Sequence, residues 1–150
     1  LNHLYALEEN TFDVISMWHV LEHVYNLNED IEQYKKILKQ DGVLIVAVPN
    51  CSSKDAKHYG ANWAAFDVPI HLYHFRPNNM KKLFFNHGME VVEILPMKYD
   101  AYYISMISEK YKGGNIFSGF VNGFKSNLAA NSKNNKYSSQ IYVIKHQKAV

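Results

Sequence analysis

Apolar positions along the chain change period several times, and each change marks an element. Residues 12–18, FDVISMW, mix branched and aromatic side chains as a strand does. Leu27, Ile31, Tyr34 and Leu38 then recur at helical spacing, which predicts a helix over 28–39 with one apolar face. Its acidic first turn (Glu29, Asp30) and its lysine-rich end (Lys35, Lys36, Lys39) both suit the helix dipole. Asp41-Gly42 is the predicted stop. The unbroken apolar run VLIVAV at 43–48 suits a strand covered on both faces, as in a parallel sheet. Strand, helix and buried strand in so short a span predict a right-handed βαβ unit.

Beyond Pro49-Asn50 the periodicity lapses, and 50–75 is expected to be an irregular aromatic loop carrying Trp63, Phe66, Tyr73 and Phe75. Pro77 opens a second helix with Met80, Leu83 and Phe84 on its apolar side, closed by His87-Gly88. Residues 89–95 alternate like a strand. A helix over 101–111, broken by Gly113-Gly114, would pack Tyr102, Tyr103, Ile104, Met106 and Ile107 as ordinary core. Residues 115–137 are polar around an apolar middle at 116–124, predicting mobile or cap-like helical structure. A last strand follows at 139–146. The order is that of an α/β sheet with helices on its faces.

Length and composition place these elements in one soluble-type domain: 150 residues, 47% hydrophobic and 20% charged. A net charge of +2 gives no steer towards nucleic acid. Charge is uneven, however. Lys110, Lys112, Lys125, Lys133, Lys136, Lys145 and Lys148 follow Asp100 and Glu109 with no further acid, a pattern expected of a solvated basic surface. The single Cys51 excludes an internal disulfide and suits a reducing, cytoplasmic setting. No apolar run reaches the roughly 18 residues that would span a bilayer, so no membrane partner is expected. The opening LNHLYALEENTFD, without an initial Met, reads as the lead-in to a strand already inside a domain.

Candidate chemistry gathers where the first strand ends. His19, Glu22 and His23 fall within five positions, and a helical turn starting at His19 would put them on one face. Such a trio can bind a metal, supply a general base, or brace the next loop. His71 and His74, in PIHLYHF, are further candidates for proton transfer near neutral pH; each could equally tie its loop to a backbone carbonyl.

Three segments in order, FDVISMWHVLEHV, LKQDGVLIVAVPN and DVPIHLYHFRPNNMKKLFFNHGMEVVEI, resemble the class I S-adenosylmethionine-dependent methyltransferases. The branch they resemble most includes the ubiquinone-biosynthesis O-methyltransferases. The resemblance covers about 12–95 and the final strand. It implies a Rossmann-like sheet in which the strands at 12–18, 43–48, 89–95 and 139–146 are the fourth to seventh of seven. The first three strands, with the glycine-rich cofactor loop, then lie outside this sequence, and none of the seven glycines forms a G-x-G-x-x-G. The chain would be the C-terminal part of such a domain, with half a cofactor site and no activity alone. Residues 99–137 would be a lid or insertion.

The resemblance also implies roles. Trp18 would touch S-adenosylmethionine, flanked by Met17 and His19, unless Trp18 is a plain core aromatic. His19, His71 and His74 are the implied catalytic histidines. Small-RNA 2′-O-methyltransferases carry Glu-x-x-Glu-His and a downstream His as divalent-metal ligands. Here His19 replaces the first Glu, while Glu22, His23 and His71 match, a set better suited to Zn, Fe or Mn than to Mg. The implied partners are an unidentified small-molecule acceptor and the N-terminal half of the domain. The alternative is a non-catalytic remnant that dimerises through the sheet edge left open by the absent strands.

Overall fold

The computed structural model of the protein describes residues 4–131 and 136–148; Leu1 and Lys133, both used above, lie outside them. Four strands form one sheet: β1 (Phe12–Trp18), β2 (Leu38–Pro49), β3 (Met89–Met97) and β4 (Ser139–His146), in the order β1-β2-β4-β3. β1 runs parallel to β2, whereas β4 is antiparallel to both β2 and β3. An α/β sheet with flanking helices is what the pattern predicts; the antiparallel pairing of β4 with both neighbours is not, since the apolar run of β2 points to a parallel sheet.

Two helices cover one face. α1 (Leu27–Ile37) and α3 (Pro77–Asn86) bring Ile31, Tyr34, Met80 and Phe84 against Met17, Leu44, Val46, Tyr142 and Ile144. The other face is less covered. Val46 to Pro49 are buried, but Val43 and Ile45 are only half-buried, Val14 is 56% exposed and Leu95 38%. The expectation of a strand enclosed on both faces therefore holds only for the second half of β2.

α1 also ends earlier than its periodicity suggests. Leu38 is already extended (φ −76°, ψ 132°) and fully buried, so it belongs to β2. Asp41-Gly42 is not a helix stop but part of an irregularity in that strand. The register passes from Phe12↔Leu38 to Val14↔Val43, and residues 39–42 bulge between. Lys39 pins the bulge to β1 through both carboxylate oxygens of Asp13, at 2.9 Å each.

The stretch 50–75 is more ordered than its composition suggests. Ser53 Oγ accepts from Ala56 N at 3.2 Å and caps α2 (Lys54–Tyr59), and two 3-10 turns follow at Gly60–Asn62 and Ala64–Phe66. The ends of the stretch meet where Cys51 N donates to Phe75 O at 3.0 Å. Trp63, Tyr59, Ala56 and Ala65 form a second core with Ile104.

Ile104 comes from α4 (Lys98–Lys112), which leaves the C-terminal end of β3 and pairs with α5 (Ile116–Ala129). Gly113 caps α4 in the left-handed region (φ +80°), and Asn115 Oδ1 caps α5 by accepting from Ser118 N at 2.9 Å. The two helices touch backbone to backbone. A Cβ on Gly119 would lie 2.5 Å from Met106 Cα, and one on Gly123 would lie 2.7 Å from the Ala101 carbonyl. Gly119→Ala is thus expected to destabilise the fold by about 1–3 kcal/mol, read as a lower melting midpoint. An unchanged midpoint would mean the helices stand further apart than here.

Buried polar side chains fasten this hairpin to α2. Both carboxyl oxygens of Asp55 are taken, one by Trp63 Nε1 at 2.8 Å and one by Ser126 Oγ at 2.7 Å. Glu109 Oε1 accepts from Tyr59 OH at 3.2 Å and from Asn122 Nδ2 at 3.0 Å.

Candidate functional site

The site is built where β1 stops. His19 N donates to Ala47 O at 2.9 Å, continuing the β1–β2 ladder, and His19 then takes a left-handed φ of 54° that turns the chain sharply. The helical face expected for His19, Glu22 and His23 does not form. Only a 3-10 turn at Leu21–His23 follows, and His19 lies outside it. Its ring is gripped from two sides: Nδ1 is 3.2 Å from Glu22 Oε1, and Nε2 is 2.9 Å from Asp100 Oδ2. These two carboxylates, Asp100 foremost, push the His19 pKa up to about 9 against a smaller opposing effect of burial. His19 therefore carries its proton at neutral pH and donates to both acids.

That assignment removes His19 from the general bases, because a base must arrive unprotonated. Asp100, the residue that decides it, went unnoticed as a site residue in the sequence. Its signal there was that of an acid in the first turn of a helix, the commonest of placements.

His71 and His23 are held differently. His71 Nδ1 is 2.9 Å from Ala65 O, and His23 Nδ1 is 3.3 Å from Ile70 O. A carbonyl only accepts, so each Nδ1 bears a hydrogen and Nε2 is the nitrogen left for other partners. The rings meet edge to face with centroids 4.7 Å apart. Glu22 joins them: it is fully buried, and its Oε2 has no hydrogen-bond partner among the described residues. One ligating atom from each of Glu22, His23 and His71 lies within 4.8 Å of the others. His19, fourth of the ligands implied by resemblance, is outside this group.

His74 and Met17 fall elsewhere. His74 Nε2 donates to Phe66 O at 2.9 Å, which ties its loop, and the ring packs edge-on against Phe66; His74 is not among the residues that line the cleft at the carboxyl ends of β1 and β2. Met17 is buried in the core beneath α1 and α3 and does not wall the cleft. Trp18, one residue on, points to the other side of the strand and is 50% exposed, so it is not a core aromatic.

A cleft of about 360 Å³ opens at the carboxyl ends of β1 and β2, a volume in the range of small-molecule sites. His19 and Pro49 line it from the sheet, Ala65 and His71 from the loop, and Asp100, Tyr103 and Ile104 from α4. In open α/β sheets this is the end where ligands bind. Among the described residues no helix is long and apolar enough to cross a membrane.

A mixed sheet closed by an antiparallel last strand, with its cleft at the carboxyl ends, is the arrangement of class I methyltransferases. Residues 3–94 match the model of a methyltransferase domain, and the chain belongs to that family. A search of curated proteins finds no match. Among solved structures, a SAM-dependent methyltransferase from Thermotoga maritima is similar at a TM-score of 0.60 and 16% identity, over 95% of this chain and 59% of that one. One from Archaeoglobus fulgidus gives 0.58 and 16%, over 97% and 64%. The 4+2 cyclase SpnF gives 0.57 and 13%, over 95% and 52%. At such identities the likeness is one of fold, and a cyclase among the three illustrates that fold does not fix reaction. The chain spans between 52% and 64% of the length of these structures.

Proposed function

We propose that the protein is the acceptor-side part of an S-adenosylmethionine-dependent methyltransferase acting on a small molecule bound in the cleft. The observation that carries this reading is His71: it lines the cleft, and its Nδ1 is engaged by the Ala65 carbonyl, which leaves Nε2 as the nitrogen that can face an acceptor. S-adenosylmethionine, when bound, supplies a methyl on a sulfonium whose C–S bond breaks as the acceptor attacks. For a hydroxyl acceptor, the protein's task is to align it, exclude water and remove one proton, and His71 Nε2 is the proposed proton acceptor. Tyr103 and Ile104 shield the cleft from solvent. His19, already protonated, positions the cleft wall by linking Glu22 to Asp100 on α4.

The residues present fit half of the cofactor. Trp18 offers an exposed ring at the strand end, where an adenine or thioether can pack, while the glycine-rich loop that would cradle the remainder is not in this sequence. β1 is a sheet edge, and the face bearing Val14 and Trp18 is open. Both are consistent with docking of a further sheet half there. They equally support the alternative, a non-catalytic module that pairs through that edge with a second copy. Titration calorimetry separates the two. S-adenosylmethionine is expected to bind a version extended upstream and not this chain alone; binding by neither would sink the enzyme reading.

A second reading of the same corner rests on the orphaned Glu22 Oε2 beside two imidazoles of fixed tautomer. Glu22, His23 and His71 would hold a divalent cation of the Zn, Fe or Mn type, with the Ala65 and Ile70 carbonyls orienting the ligands. Such a cation, held by these three residues, would supply Lewis acidity towards an acceptor hydroxyl. Elemental analysis of protein purified without chelator is expected to find about one ion per chain; a content far below that removes the cation.

A further inference from the structure

The α4–α5 hairpin presents its most apolar side outward. Along α5, Phe117, Phe120, Phe124 and Leu128 are 77%, 52%, 53% and 59% exposed. Their spacing of three and four puts them in one stripe, with Val121 beside them, about 16 Å long. The stripe is not the packing face of the helix. Gly119, Gly123 and Ser126 occupy that face and close against α4. Burial inside the described fold therefore does not explain four large apolar side chains in a row.

Charge indicates what covers them. α5 contains no acidic residue, and no Asp or Glu follows Glu109 anywhere in the sequence. One flank of the stripe is cationic. Lys125 of α5 shares a shallow cleft with Lys54 of α2, and Lys54, Lys57 and Lys136 border the next cleft beside Ala129 and Ala130. All four lysines are exposed, and among the described residues none is ion-paired with a carboxylate. Two copies joined through this face would bring lysine flanks together whose one lining acid, Asp55, is buried and bonded through both oxygens, and this opposes self-association. An apolar stripe with an unpaired lysine border suits a surface that is apolar within and anionic at its rim.

We infer that the α5 face docks on an anionic lipid surface, the phenylalanines entering the acyl boundary and the lysines meeting the headgroups. The helix is too short to span a bilayer, as the sequence pattern requires, but it lies in the interface instead, a membrane contact that the absence of a spanning run does not exclude. This association is independent of methyl transfer.

Vesicle sedimentation tests it. The protein is expected to pellet with phosphatidylcholine vesicles containing phosphatidylglycerol and to stay in the supernatant with phosphatidylcholine alone. Binding should fall steeply in about 1 M salt, where charges are screened beyond roughly 3 Å. Phe117→Ser with Phe124→Ser is expected to weaken binding by at least about tenfold. Lys54→Glu with Lys125→Glu should erase the preference for the anionic lipid. In an otherwise unaltered chain, Phe120→Trp should give an added fluorescence signal that shifts to the blue on the anionic vesicles, so the answer does not depend on how the multiple variants fold. No sedimentation with anionic vesicles, no blue shift, or equal binding by the serine variant overturns the inference. So does light scattering that finds a dimer dissolved by the serine pair with no vesicle binding.

Discussion

Replacing His71 by alanine is expected to lower methyl-transfer turnover by about 10²–10⁴-fold while leaving S-adenosylmethionine affinity nearly unchanged. The measurement is kcat alongside a calorimetric titration, in a form of the protein that binds the cofactor. The split follows from position. His71 lines the cleft beside Ala65 and α4, whereas the cofactor wall assigned to Trp18 lies on β1. The Nδ1 bond to the Ala65 carbonyl fixes which nitrogen can act. His23 is the discriminating control. If His71 works alone as the base, His23→Ala costs little. If Glu22, His23 and His71 hold a cation, His23→Ala falls as far and loses the ion as well. Unchanged turnover in His71→Ala counts against both readings.

Raising the pH from about 6.5 to 9 is expected to lower the melting midpoint, and Asp100→Asn is expected to remove most of that fall. The direction is fixed by the sign of the shift. His19 in the folded protein titrates near 9, above the ordinary value of 6.5, so its contribution is complete below 6.5 and is lost as the pH rises through 9. Glu22 and Asp100 hold the ring directly, and Asp67 and His71 line the same cleft. Asp100 is the larger cause, so its amide variant should bring the His19 titration, followed by NMR, well back towards 6.5. A His19 that titrates near 6.5 in the unaltered protein would mean that α4 does not sit on the strand end as described.

The strands and helices were legible because their periods are strong and local. Leu27, Ile31, Tyr34 and Leu38 announce α1, and Pro77 and Gly113 mark helix ends that the structure keeps. What escaped depended on distant partners. Residues 39–42 bulge because Leu38 is claimed by the core and Lys39 by Asp13, neither of which a helical period records. α2 hides in a stretch that composition marks as loop, since its stability rests on the Ser53 cap and on Trp63 and Asp55 packing inward. At the site, Glu22 and His23 stand out by their spacing and His71 by resemblance to a ligand pattern, and the fold brings the three together. The division of labour among the histidines was not. What holds each imidazole is decided across the fold: the Asp100 carboxylate raises the pKa of His19, and the Ala65 carbonyl selects which nitrogen of His71 carries the hydrogen.

The buried bond between Asp55 and Ser126 sets how the cleft can exchange its contents. To swing α4 and α5 aside as one hinged flap would strip Ser126 from the buried Asp55 carboxyl group, and would pull Glu109 and Asn122 away from Tyr59 as well. Traffic through the mouth is better served by rotamer jumps of Tyr103, which is 64% exposed at the rim. Such gating runs on nanoseconds rather than milliseconds, and it favours small, quickly exchanging occupants over bulky ones.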